Sequence, residues 1–287
     1  MKDVRPMSPS RTLVLGAGGQ LGRALREVYP DAEFTSRDEL DIARPDLEAA
    51  RSWRDYGTII NAAAYTKVDL AETTDGRRDA WAANVTAVAA LARLAATNGI
   101  TLVHVSSDYV FDGATDRHDE LEGFAPLGVY GQTKAAGDAI VSLVPRHYTV
   151  RTSWVIGDGS NFVRTMASLA EGGINPQVVN DQIGRLSFAR DIAAGIRHLV
   201  EVGAPFGVYN LTNAGEPLSW TDIAKHVYAA AGHDAGRVTG VSTEVYFAGK
   251  LAAPRPLNSV LALDRIRATG FEPRDHLVAL DEYLDAL

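Results

Sequence analysis

Thr12-Leu13-Val14-Leu15-Gly16-Ala17-Gly18-Gly19-Gln20-Leu21-Gly22-Arg23-Ala24-Leu25-Arg26-Glu27-Val28 reads as a strand, a glycine-rich turn and a helix. Gly16, Gly19 and Gly22 give the spacing Gly-x-x-Gly-x-x-Gly. A tight turn needs a residue without Cβ, a pyrophosphate needs close approach of the backbone, and a helix N-terminus attracts that anion through its free N–H groups and dipole. The same glycines would also suit a turn that merely packs a helix on a strand. The strand before them and the helix after them favour a dinucleotide cradle, with Gly16, Gly19 and Gly22 as its candidate residues.

Outward from this turn, residues 11–151 alternate short β-rich runs with longer helical patterns. Strands are predicted at Thr12–Leu15, Thr58–Asn61, Leu102–Ser106 and Tyr148–Arg151, and a helix over Asp75–Asn98 with Trp81, Val85, Val88, Leu91 and Leu94 at helical spacing and Gly99 as its stop. Alternation of this kind predicts an α/β protein with a doubly wound parallel sheet, the Rossmann arrangement. After Trp154, turn-rich stretches predict a smaller C-terminal α/β lobe. A helix at Arg190–Glu201 and a strand at Val208–Leu211 return to the sheet, and Ser219-Trp220-Thr221-Asp222 resembles a capping box that opens another helix of the lobe. The expected division is a dinucleotide-binding domain over 1–154, completed by about 187–213, and a substrate lobe over 155–186 and 214–287.

The 287 residues are 46% apolar, enough for a sizeable core. No run approaches the ~20 uninterrupted apolar residues of a membrane span, and residues 1–10 lack an apolar signal core, so a cytoplasmic location is expected. Cysteine is absent, which excludes disulfides, thiolate metal sites and thiol nucleophiles. The net charge of −8 is spread over interspersed acids and disfavours binding to nucleic acid or an anionic membrane. No Gly-x-Ser-x-Gly elbow, P-loop or pair of His four residues apart is present, so hydrolase, P-loop and His-pair zinc chemistries lack support.

A site that selects NAD places an acid about 20 positions beyond the glycines to bond the ribose. Here Ala32-Glu33-Phe34 runs into Thr35-Ser36-Arg37, and Arg37 can pair with a 2′-phosphate, so NADP(H) is expected over NAD(H). Tyr130 and Lys134 stand four apart at the start of a predicted helix, Lys134–Val144. A free phenol titrates near ~10, and an adjacent ammonium favours the phenolate and brings the group closer to proton-transfer range. Tyr246 and Lys250 repeat the spacing, but no strand-end hydroxyl precedes them and a Gly lies between, so they are read as structural. Ser107, at the end of the His104-Val105-Ser106-Ser107 strand, is placed to hydrogen-bond a substrate carbonyl, and Ser106 to brace the strand end.

These residues resemble the extended short-chain dehydrogenase/reductase superfamily, and more narrowly the dTDP-4-dehydrorhamnose reductase family. The resemblance covers nearly the whole chain: the glycine turn, Leu40-Asp41-Ile42, Asn61-Ala62-Ala63-Ala64-Tyr65-Thr66 with Val68-Asp69, His104 to Gly113, Val129 to Lys134, Arg151-Thr152-Ser153-Trp154, Val179-Asn180-Asp181-Gln182 and Arg255-Pro256-Leu257-Asn258-Ser259. It implies Ser107, Tyr130 and Lys134 as the catalytic trio, with Tyr130 and Lys134 also against the cofactor. Gly19, Gln20 and Leu21 would line the pyrophosphate, and Thr35, Ser36, Arg37, Asp41, Ile42, Ala63, Ala64, Tyr65 and Thr66 would border NADP(H). Ser107, Asp108, Tyr109, Tyr130, Trp154, Asn180, Gln182 and Arg255 would lie near the sugar nucleotide, Arg255 as a partner for its diphosphate. As isolated residues, Trp154 reads as core and Arg255 as surface.

The implied reaction reduces the 4-keto group of a dTDP-6-deoxyhexulose, most directly dTDP-4-dehydro-L-rhamnose. Its rivals are another dTDP-4-keto-deoxysugar, a dehydratase or epimerase on the same scaffold, and a non-catalytic NADP-binding regulatory subunit. The dehydratase needs an acidic pair after the strand-end hydroxyl, whereas Tyr109 follows Asp108. The family's usual Gly-x-Pro-Thr after the glutamine reads Gly184-Arg185-Leu186-Ser187, which predicts a reshaped wall of the lobe. The acidic set that bridges some dimers through a metal is not found, so no metal is predicted and monomer and homodimer both stay open.

Overall fold

The computed structural model describes residues 12–44 and 46–287; the N-terminal stretch read for a signal lies outside them. β1 (Thr12–Leu15) turns through the glycines into α1 (Gln20–Val28) and returns as β2 (Glu33–Thr35). β3 (Thr58–Asn61) leads to a long helical stretch, α2 (Thr74–Trp81) and α3 (Ala87–Asn98), joined by a π-turn at Ala82–Thr86. β4 (Thr101–Ser107), α4 (Val129–Val141) and β5 (His147–Thr152) follow. Then come β6 (Val155–Ile156), α5 (Phe162–Glu171), β7 (Gln177–Val179), β8 (Ile183–Gly184), β9 (Ser187–Phe188), α6 (Ala189–Glu201) and β10 (Gly207–Asn210). The chain ends with β11 (Leu218–Ser219), α7 (Trp220–Ala230), β12 (Thr239–Val241), α8 (Thr243–Phe247), α9 (Asp264–Arg267) and α10 (His276–Asp285).

Six parallel strands form the main sheet in the order β10-β5-β4-β3-β1-β2. Successive apolar residues of each strand enter opposite cores, which is why these strands read as continuous apolar runs. Leu13, Leu15, Ile59 and Leu102 pack with Val88, Leu91 and Leu94 of α3 on one face. Val14, Ile60, Val103 and Val150 pack with Leu25 of α1 and Ile192, Ile196 and Leu199 of α6 on the other. The fold is therefore doubly wound, as the sequence predicts. The order in which strands are added reverses between β1 and β3, with β2 on one side of β1 and β3 to β5 on the other, and the carboxyl edge at such a switch point leaves a crevice for a ligand.

The late elements α6 and β10 complete this sheet: Val208 and Tyr209 pair with Thr149 and Val150. A third core lies apart, built from Val163, Met166, Leu186, Ile223, Val227, Tyr228 and Leu280. The Ser219 capping box is present at the start of α7, with both reciprocal bonds to Asp222. The residues that depart from the family pattern serve the lobe's interior. Leu186 is fully buried, and Arg185 bonds the carbonyls of Gly215 (2.8 Å) and Leu261 (3.2 Å).

Candidate active site

Gly16 has φ +87, and a Cβ there would stand 2.7 Å from the backbone N of Ala63. One at Gly22 would run into the Gly16 carbonyl. The turn can therefore lie flat between β1 and β3 only with glycine at these positions. Thr35 contributes its carbonyl, which accepts from Gly16 N and Ala17 N at 3.1 Å each and aims the loop. At the N-cap of α1, Gly19 offers no side-chain cap, and the first turn holds no acid. The free N–H groups thus face outward in a field that favours an anion, the fit required of a pyrophosphate cradle.

A cleft of about 500 Å³ opens above the turn. Gly16, Gly19, Ser36, Arg37, Asp41, Ile42, Ala63, Ala64, Tyr65 and Thr66 line it, with Lys67 and Asp79, which the sequence did not single out. Arg37 is 85% exposed at the side chain and 3.6 Å from Asp41. Ser36 gives both its N–H and its hydroxyl to Glu39, at 2.7 and 3.0 Å. Leu21 is a core residue, and Gln20 faces a separate hollow beside Gly157 and Phe188, so these two can offer the cleft only backbone.

Tyr130 and Lys134 both lie inside α4, which begins at Val129 rather than at Lys134. They share a buried face, with Lys134 only 2% exposed. The Ser107 hydroxyl lies beside the Tyr130 phenol and favours its ionised form. Its own bonds are to Asp108 Oδ1, to which it donates at 2.9 Å, and from Tyr109 N, from which it accepts at 3.2 Å. Lys134 Nζ donates to Val105 O at 2.7 Å. Burial pushes the phenol of Tyr130 well above its usual value, with Ser107 opposing and the Asp108 and Asp138 charges adding. In the free protein desolvation outweighs the pull toward the phenolate expected of Lys134, whose ammonium bonds a carbonyl. The result is a phenol held in its acid form. Lys134 itself is lowered to about 8 by burial, which Asp138 resists.

Tyr130 packs in one cluster with Tyr65, from the wall of the glycine cleft, and with Tyr109, edge-on at 5.4 Å. Tyr109 in turn lines a second hollow of about 270 Å³, shared with Trp154, Gln182, Trp220, Tyr246, Phe247, Arg255 and Ser259. Tyr130 thus packs between one residue of each cavity's wall, while Ser107, Tyr130 and Lys134 themselves line neither cavity. Asp108, 3% exposed, accepts from Ser259 Oγ at 2.5 Å as well as from Ser107, and burial raises its carboxyl to about 6. Gln182 bonds Thr243 Oγ1 at 3.0 Å. Arg255 is not free but pairs with Asp69 at 2.7 Å and lies over Phe247. Asn180 is exposed and stands outside the lining of this hollow.

A family model described as the RmlD substrate binding domain matches residues 10–287. The chain belongs to that family. It is 38% identical to the dTDP-4-dehydrorhamnose reductase of Aggregatibacter actinomycetemcomitans, over 94% of this chain and 97% of that protein. It is also 38% identical to the dTDP-4-keto-6-deoxy-D-glucose reductase of Streptomyces niveus, over 93% of each. Among solved structures, the Bacillus anthracis dTDP-4-dehydrorhamnose reductase in complex with NADP superposes with a TM-score of 0.85 at 33% identity, covering 96% of this chain and 97% of that one.

In this member of the RmlD family, three features of the site escaped the sequence reading. Tyr246, read as structural, lines the second hollow, and Lys250 lies over its ring at 4.2 Å. Trp220 stacks on Trp154 at 3.8 Å. Asn84, in the π-turn, clamps Tyr65 through both backbone groups and reaches Thr133, whose hydroxyl bonds the Tyr130 carbonyl at 2.7 Å. Its one signal was a poor helix former in mid-helix.

Proposed function

We propose that the chain is an NADPH-dependent reductase of the 4-keto group of a dTDP-linked 6-deoxyhexulose, turning dTDP-4-dehydro-L-rhamnose into dTDP-L-rhamnose. The observation that carries this reading is Tyr130, with Ser107 beside it, packed between Tyr65 of the pyrophosphate-type cleft and Tyr109 of a second, aromatic-walled hollow. NADPH supplies the hydride when bound. Tyr130, kept protonated by its surroundings, gives its proton to the carbonyl oxygen, and the Ser107 hydroxyl orients that oxygen. Lys134 supports the phenol from the same helix face. The glycine turn and the α1 N-terminus hold the pyrophosphate, Arg37 the 2′-phosphate, and Tyr109, Trp154, Gln182 and Arg255 the sugar nucleotide.

The division into a dinucleotide-binding domain over 1–154 with 187–213 and a sugar-nucleotide lobe over 155–186 and 214–287 follows from this assignment. A step that joins NADPH to a nucleotide sugar belongs in the cytoplasm, where both are made. Two relatives of equal identity act by name on different dTDP-4-keto sugars, so the natural sugar is the part to test first. Incubation with dTDP-4-dehydrorhamnose should consume NADPH stoichiometrically and yield dTDP-rhamnose by NMR, whereas Tyr130→Phe should bind NADPH normally and lose at least about 100-fold in kcat. A Tyr130→Phe protein with wild-type turnover would end this assignment; absence of any turnover, together with a stable protein partner, would favour a regulatory subunit.

A further inference from the structure

Tyr130, Lys134 and Asp138 succeed one another at i, i+4 and i+8 on the buried face of α4. Each is at most 9% exposed. Lys134 has a single neutral acceptor, the Val105 carbonyl, and among the described residues no carboxylate within ion-pair distance. Asp138 is fixed in turn by Arg151 of β5, Nε to Oδ2 at 3.0 Å, with both side chains almost fully buried. Arg151 lies over the rings of Phe111 and Phe124 and reaches the Glu120 carbonyl, so it cannot swing away. For stability alone, a buried ion pair gains little over an apolar pair of the same volume. Its position one turn below the ammonium gives it another use.

We propose that Asp138, anchored by Arg151, is a positioning residue whose carboxylate keeps the Lys134 ammonium charged inside the protein and so available to Tyr130. The inference rests on the reading that Lys134 serves Tyr130 in a reductase. The groups that face Lys134 are few. From β4 come the Val105 carbonyl and His104, whose ring burial and the Lys134 charge hold well below its usual range, hence neutral. On α4 itself lie Tyr130 and Asp138, and Asp108 acts on Tyr130 from the turn after β4. Burial raises the Asp138 carboxyl, while Arg151, the Ser106 hydroxyl and Lys134 oppose that rise.

Asp138→Asn alone would leave Arg151 buried without a partner, so the informative variant is Asp138→Asn/Arg151→Met, with Asp138→Glu as the conservative rescue. The chain has five lysines, which makes a 13C-lysine NMR titration tractable, and Lys134→Met assigns the signal. In the wild type the Lys134 midpoint should fall near pH 8. In the folded double variant it should drop by about one unit, and Asp138→Glu should restore it. The basic limb of kcat/KM should move with it, so that activity at pH 8 falls about fivefold while activity at pH 6 and NADPH binding hold. A folded double variant with the wild-type midpoint and limb overturns the proposal. The NMR midpoint is read without turnover, so failure of the reductase reading shows separately, as no NADPH consumed by the wild type.

Discussion

Arg255 and Asp69 form an ion pair, Nη2 to Oδ1 at 2.7 Å, that ties the segment entering the smaller lobe to the loop after β3. The same Asp69 oxygen accepts from Ala253 N at 3.0 Å. Asp69 is 42% exposed at its side chain, so the pair adds little to stability. Its consequence is for binding: a diphosphate that recruits Arg255 must take it from a carboxylate.

Two substitutions should therefore act with opposite signs on the affinity for thymidine diphosphate. Arg255→Ala removes a charge-assisted donor and should weaken binding about 10- to 100-fold. Asp69→Asn removes the competitor and should tighten it. Calorimetric titration of both variants decides the matter, and weaker binding by Asp69→Asn would show that the pair only props the lobe.

Arg37 leans over the glycine cleft with 85% of its side chain exposed, and its one ionic neighbour among the described residues, Asp41, stands 3.6 Å away. It is free to meet a 2′-phosphate. Arg37→Ala should lower kcat/KM for NADPH about 10- to 100-fold and leave NADH almost unchanged. Steady-state rates with both cofactors test this, and an equal loss with each would remove Arg37 from cofactor selection.

Burial raises the Asp108 carboxyl from 3.8 to about 6, against the pull of Ser259 and Ser107. A folded-state value above the unfolded one means that the native protein holds this proton more tightly. The stabilisation is complete below about pH 4 and lost as pH rises through 6. The span corresponds to about 2–3 kcal/mol. Urea unfolding at pH 5 and pH 8 should therefore show a pH-dependent loss that shrinks by about 1.4 kcal/mol, the part of that span lying above pH 5, in Asp108→Asn. An unchanged difference would assign the pH dependence to other groups.

The sheet was legible because its strands are buried on both faces: every residue of Thr12–Leu15 and Thr58–Asn61 is buried. The glycine turn was legible because backbone geometry demands glycine there. The start of α4 was not, since Gly128 at its N-cap and Gly131 in its first turn are poor helix formers that mask where the pattern begins. The trio could be named from spacing, but its electrostatics could not: whether Lys134 or desolvation governs Tyr130 depends on a carbonyl 29 residues away. The aromatic wall of Trp154, Trp220, Tyr246 and Phe247 draws on separate elements that only tertiary packing brings together.

Trp154 is the one residue other than glycine, among those described, with positive φ, at 45°. For a large side chain this costs on the order of 1–2 kcal/mol, so the surroundings must enforce it. Its indole lies flat on Trp220 at 3.8 Å and 19°, and Trp220 is steadied by Phe162 at 4.6 Å. The other support is Gly184, where an added Cβ would stand 2.9 Å from the Trp154 ring. Gly184→Ala must then push the indole off its stack or shift β8. Either movement should cost about 1–3 kcal/mol of stability and alter the hollow that Trp154 lines. KM for the sugar nucleotide should rise several-fold, while NADPH affinity, set in the other cleft, stays as it was. If Gly184→Ala kept both the wild-type KM and the wild-type unfolding midpoint, the strained indole would not be what shapes the pocket.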